Sequence, residues 1–187
     1  MDKDRFTITK GFTLWFTGLP SSGKTSVAGE LARYLEQFYL PVVFLDGDII
    51  RPIIAEGIGC SESDRHKSLL KYIELTNALI KSKVITILAV INHSQEQRNL
   101  ARRSHPDGRF VEVWINTPLG VCIQRDVKGL YKKAFNGETK NVVGVDIEYC
   151  PPKNPNVTIN TQYESLPAAA EKIFRYLKEK NLIVPVL

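Results

Sequence analysis

Short apolar runs alternate with helical periodicities along most of the chain. Residues 12–16 (FTLWF), 42–46 (VVFLD), 84–91 (VITILAVI) and 110–115 (FVEVWI) are each nearly continuous in apolar character, and 157–160 (VTIN) is a candidate fifth run. Runs of that length without strict alternation read as strands buried on both faces. Residues 24–39 carry Val27, Leu31, Tyr34, Leu35 and Phe38 at helical spacing. Residues 62–82 form a second helical stretch, with Ser61 or Ser63 as its cap, and 94–105 a polar one stopped by Pro106-Asp107-Gly108. Thr117-Pro118 opens a short helix, and 164–180 closes an amphipathic one with Ile173, Phe174 and Leu177 inward. Strand–helix alternation of this kind predicts an α/β fold, a three-layer sandwich with a parallel sheet of about five strands. One segment breaks the alternation. Residues 126–156 are rich in Gly, Lys, Asn and Pro, and a stretch of that length inside a compact domain is expected to be a lid or to be disordered.

Composition narrows the class without naming a function. The 187 residues, with 43% hydrophobic and 24% charged positions, suit one domain over 1–187 with one sizeable core. The net charge of +5 fits either a solvated surface or a site for polyanionic ligands. No Lys/Arg run is interleaved with aromatics, so nucleic acid is not the expected partner. The longest apolar run, 84–91, is far too short to span a bilayer, and the polar opening MDKDRFTITK is no signal peptide. A cytoplasmic protein without membrane partners is expected. Cys60, Cys122 and Cys150 are odd in number and far apart, which gives neither a disulfide framework nor a metal spacing.

The stretch GLPSSGKT, residues 18–25, matches G-x-x-x-x-G-K-[ST] in full, after one expected strand and at the start of one expected helix. Gly18 and Gly23 let the backbone curl so that N–H groups, including those of Ser21, Ser22 and Ser26, point at phosphate oxygens. The helix N-terminus adds partial positive charge. Lys24 reaches the outer phosphates and the Thr25 hydroxyl can ligate Mg²⁺. The expected donor is therefore ATP with Mg²⁺. No N-K-x-D signature and no D-x-x-G after a strand is present, which disfavours a GTPase switch. The short chain disfavours an ATP-driven machine, and a small-molecule kinase remains.

Asp46 ends the second apolar run, at the edge of the sheet where ligands of open α/β folds sit. A carboxylate there can orient or deprotonate an attacking hydroxyl or help to hold Mg²⁺, and Asp48 can share the role. Arg51 offers a fork that matches an anionic acceptor.

These residues make the chain similar to a known family. WFTGLPSSGKTS, LDGD with Arg51, SESDR at 61–65 and the block TPLGVCIQRDVKGLYKKAFNGETK ending in GVD resemble adenylylsulfate kinases over residues 14–161. The resemblance implies a phosphate-loop kinase fold with a lid at about 126–156. It also implies Mg-ATP as donor and the 3′-hydroxyl of adenosine 5′-phosphosulfate as acceptor. It assigns Asp46 a base or Mg-organising role, Arg51 and Arg65 the acceptor's anionic end, and Lys128 the closing lid. Ser68, Ile91 and Val142 fall at its other acceptor-contact positions, and relatives of this kind are commonly homodimers.

The departures from the family pattern cluster on the acceptor side. Ile49 stands where the family has Asn after DGD, Cys60 where it has Phe, Ser68 where it has Asn, and Val142 with Val143 where the lid has Phe and Thr. The ISPY turn after the third strand reads INHS at 91–94. Each lost base–aromatic contact is worth roughly 1–3 kcal/mol. Two acceptors therefore stay open: adenylylsulfate itself, or another nucleotide 5′-derivative, a pyrimidine nucleotide among them. A regulator without catalysis is disfavoured by the presence of Lys24, Thr25 and Asp46. His66 reads as solvated, His105 as structural, and Trp15 and Trp114 as core. Tyr131 can face a nucleotide or pack the lid, and His93 lies at the site edge, where an acceptor contact is one of its readings.

Overall fold

The computed structural model describes residues 5–186, so the first four positions of the expected domain and Leu187 lie outside the described residues. Seven strands and seven helices follow one another: β1 (Phe6–Thr7), β2 (Phe12–Thr17), α1 (Lys24–Glu36), β3 (Val42–Asp46), α2 (Gly47–Ile54), α3 (Glu62–Lys81), β4 (Ile85–Ala89), α4 (Gln95–Arg103), β5 (Phe110–Ile115), α5 (Leu119–Arg125), α6 (Leu130–Phe135), β6 (Val157–Ile159), α7 (Leu166–Glu179) and β7 (Val184–Pro185).

The five apolar runs form one parallel sheet in the order β3-β4-β2-β5-β6. β2 is central and all six of its residues are buried, as expected for a strand covered on both faces. Its odd and even positions serve different layers. Phe12, Leu14 and Phe16 join Val27, Leu31 and Leu35 of α1 and Ile173 and Leu177 of α7. Trp15 joins Leu69, Tyr72 and Ile73 of α3 and Ala101 of α4 on the other side. Both faces are thus sealed, and the C-terminal ends of the strands open on a single edge.

Several local expectations are settled here. Ser61, rather than Ser63, caps α3, its side chain accepting from the Asp64 N–H. His105 is buried, with Nδ1 on Ala101 O at 2.7 Å and Nε2 on the Thr76 hydroxyl at 3.1 Å. His66 is exposed, Trp15 is core, and Trp114 is only half-buried, because its strand face looks toward the chain returning from the lid. The three cysteines are free thiols.

Four elements were not anticipated. α2 follows Asp46 directly, capped by that residue's carboxylate. α6 lies inside the segment expected to be irregular. β1 and β7 pair antiparallel, Phe6 opposite Pro185, and fasten the two ends of the described chain together. Segment 126–156 is not a disordered loop: Asp126 accepts from the N–H groups of Tyr131 at 3.0 Å and Lys132 at 2.9 Å and starts α6. Tyr131, Val142 and Cys122 build a small apolar core beneath it.

Candidate active site

The open edge of the sheet carries a cleft of about 720 Å³. Each wall begins where a parallel strand ends. Residues 20–26 follow β2, Asp46 to Arg51 follow β3, Ile91 to His93 follow β4, and Thr161 to Leu166 follow β6.

The loop after β2 has the geometry its glycines suggest. Gly23 has φ 98° and precedes the first turn of α1. A side chain there would be strained by the left-handed backbone. At Gly18 a Cβ would meet Ile115 O at 2.7 Å, so the loop lies flush on β5. Ser21, Gly23, Lys24, Thr25 and Ser26 line the cleft, whereas Gly18 and Ser22 form its backing. Ser22 O accepts from the Thr117 hydroxyl at 2.9 Å and the Thr161 hydroxyl at 2.8 Å, which pins the loop to the segments after β5 and β6. Lys24 Nζ donates to Gly18 O at 3.0 Å and Leu19 O at 2.7 Å. Burial lowers its pKa to about 8, partly opposed by the carboxylates of Asp48 and Asp46.

Across the cleft, Asp46 is 8% exposed and its Oδ1 accepts from the Asp48 N–H at 2.9 Å. This cap fixes the carboxylate at the start of α2 and leaves its other oxygen for a ligand. Asp48 is exposed and pairs with Lys128 at 2.5 Å, so segment 126–156 reaches across to the wall formed by α2. Arg51 donates to Gly59 O and sits by the Cys60 thiol. Arg65 donates to Asn141 O of the lid at 2.6 Å, and burial lowers its pKa. Both guanidiniums line the cleft, with Ser68 and Ile91.

Val142, expected at an acceptor contact, lies outside the cleft lining. Val142 is 4% exposed, packs with Cys122 and Tyr131, and does not wall the cleft. A short turn in which Asp146 Oδ2 accepts from the Val142 N–H draws it into the lid core. Tyr131 packs as well: it is fully buried and its hydroxyl donates to Pro20 O at 3.1 Å.

Other cleft residues escaped the sequence reading. Tyr72 lines it from α3, its hydroxyl pushed up to about 12 by burial. Gln97 lines it from α4. At the far end Arg125 donates to the Thr161 hydroxyl at 2.7 Å and Thr161 O at 2.9 Å, beside Glu164, Ser165 and Leu166. The signal that finds Thr161 to Leu166 is positional, since they follow a parallel strand and precede a helix.

A buried cation ties the floor together. Arg98 pairs with Glu112 at 3.2 Å and donates to Asn92 O at 2.7 Å and Cys150 O at 2.5 Å. It joins the turn after β4 to the strap leaving the lid. A charge this buried persists only when paired and hydrogen-bonded, as here.

Residues 10–160 match the family model described as adenylylsulphate kinase. The chain belongs to the adenylylsulphate kinase family. It is 40% identical over 174 residues to an adenylyl-sulfate kinase of Halothermothrix orenii, covering 93% of each chain. It is 39% identical over 170 residues to that of Rippkaea orientalis, covering 91% of this chain and 93% of the other. Among solved structures, the APS kinase CysC of Mycobacterium tuberculosis, in complex with AMPPNP and APS, superposes with a TM-score of 0.87 at 36% identity, covering 90% of this chain and 98% of that one. A gluconokinase of Sinorhizobium meliloti, at 18% identity and a TM-score of 0.57, shares the fold. This adenylylsulphate kinase family member therefore keeps the fold of its relatives.

Proposed function

We propose that this chain transfers the γ-phosphoryl group of ATP to the 3′-hydroxyl of adenosine 5′-phosphosulfate, giving 3′-phosphoadenylylsulfate and ADP. One observation carries the reading: a single cleft runs from the residue 20–26 loop to Asp46, Arg51 and Arg65, so donor and acceptor face each other within one enclosure. The family membership supports it, as does the M. tuberculosis relative that holds an ATP analogue and APS together.

The roles follow from the geometry. The loop N–H groups and Lys24 hold the β- and γ-phosphates, which draws Lys24 off the carbonyls it now contacts and raises its pKa back toward the ordinary lysine range. Asp46, held rigid by its capping bond, orients the acceptor hydroxyl and takes its proton as the phosphoryl group moves in line. Arg51 and Arg65 hold the phosphosulfate. Lys128 and Arg65 keep the lid down and exclude the water that would otherwise accept the phosphoryl group.

The site suits Mg²⁺. Thr25 and Asp46 offer oxygen ligands on opposite sides of the cleft, and a kinase magnesium takes only one or two protein oxygens beside phosphates and water. Thr25 and Asp46 would hold it, and when bound it neutralises charge on the triphosphate. A homodimer in the cytoplasm completes the reading. Three free thiols fit a reducing compartment, and no helix among the described residues is long and apolar enough to cross a membrane.

A second acceptor stays in view because Tyr72 and His93 are the only aromatic side chains lining the cleft among the described residues. Incubation with Mg-ATP and a panel of nucleoside 5′-phosphosulfates and 5′-diphosphates separates the two. Adenosine 5′-phosphosulfate is expected to turn over fastest. Silence with it, beside brisk turnover of a cytidine or uridine derivative, would overturn the adenine assignment and leave the chemistry standing.

A further inference from the structure

The acceptor end of the cleft contains a polar cluster to which the mechanism above gives no task. His93 follows β4, the strand between those that deliver the phosphate loop and Asp46. Its side chain is 8% exposed and lines the cleft. Nε2 lies 3.3 Å from Glu62 Oε2, and the other oxygen of Glu62 accepts from Gln97 Nε2 at 3.0 Å. Glu62 opens α3 and Gln97 lies in the first turn of α4, helices capped by Ser61 and Ser94. Arg65, the Gln97 side chain and an imidazole thus converge on one end of the cleft, an arrangement suited to an anion. The main chain here is equally fixed, since His93 O accepts from the Cys150 N–H at 2.9 Å. In the family pattern this position is the proline of the ISPY turn, which has no side chain able to meet a ligand's charge.

We propose that His93 is a specificity residue that contacts the anionic 5′ end of the acceptor nucleotide beside Arg65, with Glu62 and Gln97 as its positioning residues. The proposal rests on the acceptor reading above. The charged groups around the ring are Glu62 and Arg65 from α3 and Arg98 from α4, with the Cys150 main chain on the strap behind. Burial holds the imidazole below its usual pKa, Glu62 opposes this, and Arg65 and Arg98 reinforce it. The empty site therefore carries a neutral ring near pH 7. An anion binding alongside stabilises the protonated ring and raises its pKa. The added affinity is fully present below the free-state pKa and is lost as pH rises through the bound-state value.

The test uses the full chain with Mg-ADP and measures calorimetric Kd for adenosine 5′-phosphosulfate between about pH 5.5 and 8.5, a window set by imidazole titration. The phosphosulfate gains no proton there and Mg-ADP is common to every arm, so a slope that His93→Gln abolishes belongs to the ring. The wild-type Kd is expected to rise about tenfold across the window, the worth of one charge-assisted hydrogen bond. His93→Gln should bind about tenfold more weakly at the acid end and lose the slope. Glu62→Gln should keep the slope but shift it to lower pH. Kd for Mg-ADP should stay within about twofold throughout, as expected for a contact on the acceptor alone. A His93→Gln protein with wild-type affinity and slope overturns the proposal, and so does an equal loss of Mg-ADP and phosphosulfate binding. Binding is read without turnover, so an enzyme that binds adenosine 5′-phosphosulfate in this pH-dependent way but does not phosphorylate it refutes the assigned reaction and not the role of His93.

Discussion

The two halves of the cleft are built from different material. The donor half is mostly main chain: a glycine-shaped loop, a helix N-terminus and one lysine, locked by hydroxyls of Thr117 and Thr161 on Ser22 O. The acceptor half is mostly side chains carried by α2, α3, α4 and the lid. Main-chain recognition of phosphate tolerates few changes, because each N–H is placed by the backbone of its neighbours. Side-chain recognition can be rewritten one residue at a time. Of the departures from the family pattern, positions 68, 92 and 93 line this second half of the cleft, whereas 142 packs with Cys122 and Tyr131.

The contrast can be broken by mutation, and the largest effect belongs to the donor half. Lys24→Ala removes the only lysine of the loop and should lower kcat/KM by about a thousandfold or more. Steady-state kinetics that keep a tenth of the activity would take the triphosphate out of this loop. Asp46→Asn keeps an oxygen for the α2 cap and should lower kcat by about a hundredfold, the range of a lost general base, with a smaller loss of Mg-ATP binding because Thr25 and the phosphates still hold the metal. An equal fall in Mg-ATP affinity would make Asp46 a metal ligand first and a base second. The smallest effect is the most informative about the acceptor half. Cys60→Phe restores an aromatic next to Arg51 and should lower KM for adenosine 5′-phosphosulfate by up to about tenfold. An unchanged KM would mean that the base does not lie against position 60.

The donor half was legible in the sequence because its determinants are local: a strand, an eight-residue motif and a helix in immediate succession. All five sheet strands could be read for a related reason, since burial on both faces leaves continuous apolar runs. The acceptor half was read only in part. α2 hid behind Gly47 and Pro52, both poor helix signals, although Asp46 is a ready N-cap. Val142 was assigned by its place in a family motif, and only the packing of Tyr131 and Cys122 shows that a valine there turns inward. The lid helix α6 was hidden by its lysines and by Asp126, whose capping role depends on a positive φ that no periodicity reveals. β1 and β7 escaped because two-residue strands from opposite ends of the sequence carry no local pattern.

That terminal pairing has a practical reach. Phe6 packs against Phe38 and Phe174, at the end of α1 remote from the phosphate loop, and the Val186 N–H donates to Arg5 O at 2.9 Å. Both ends of the described chain therefore leave from the rear of the molecule, a single peptide's reach from each other. A reporter or affinity handle fused at either end would stand clear of incoming nucleotides. A short bridge closing the chain into a circle would allow new ends to be opened on another surface with the nucleotide cleft undisturbed.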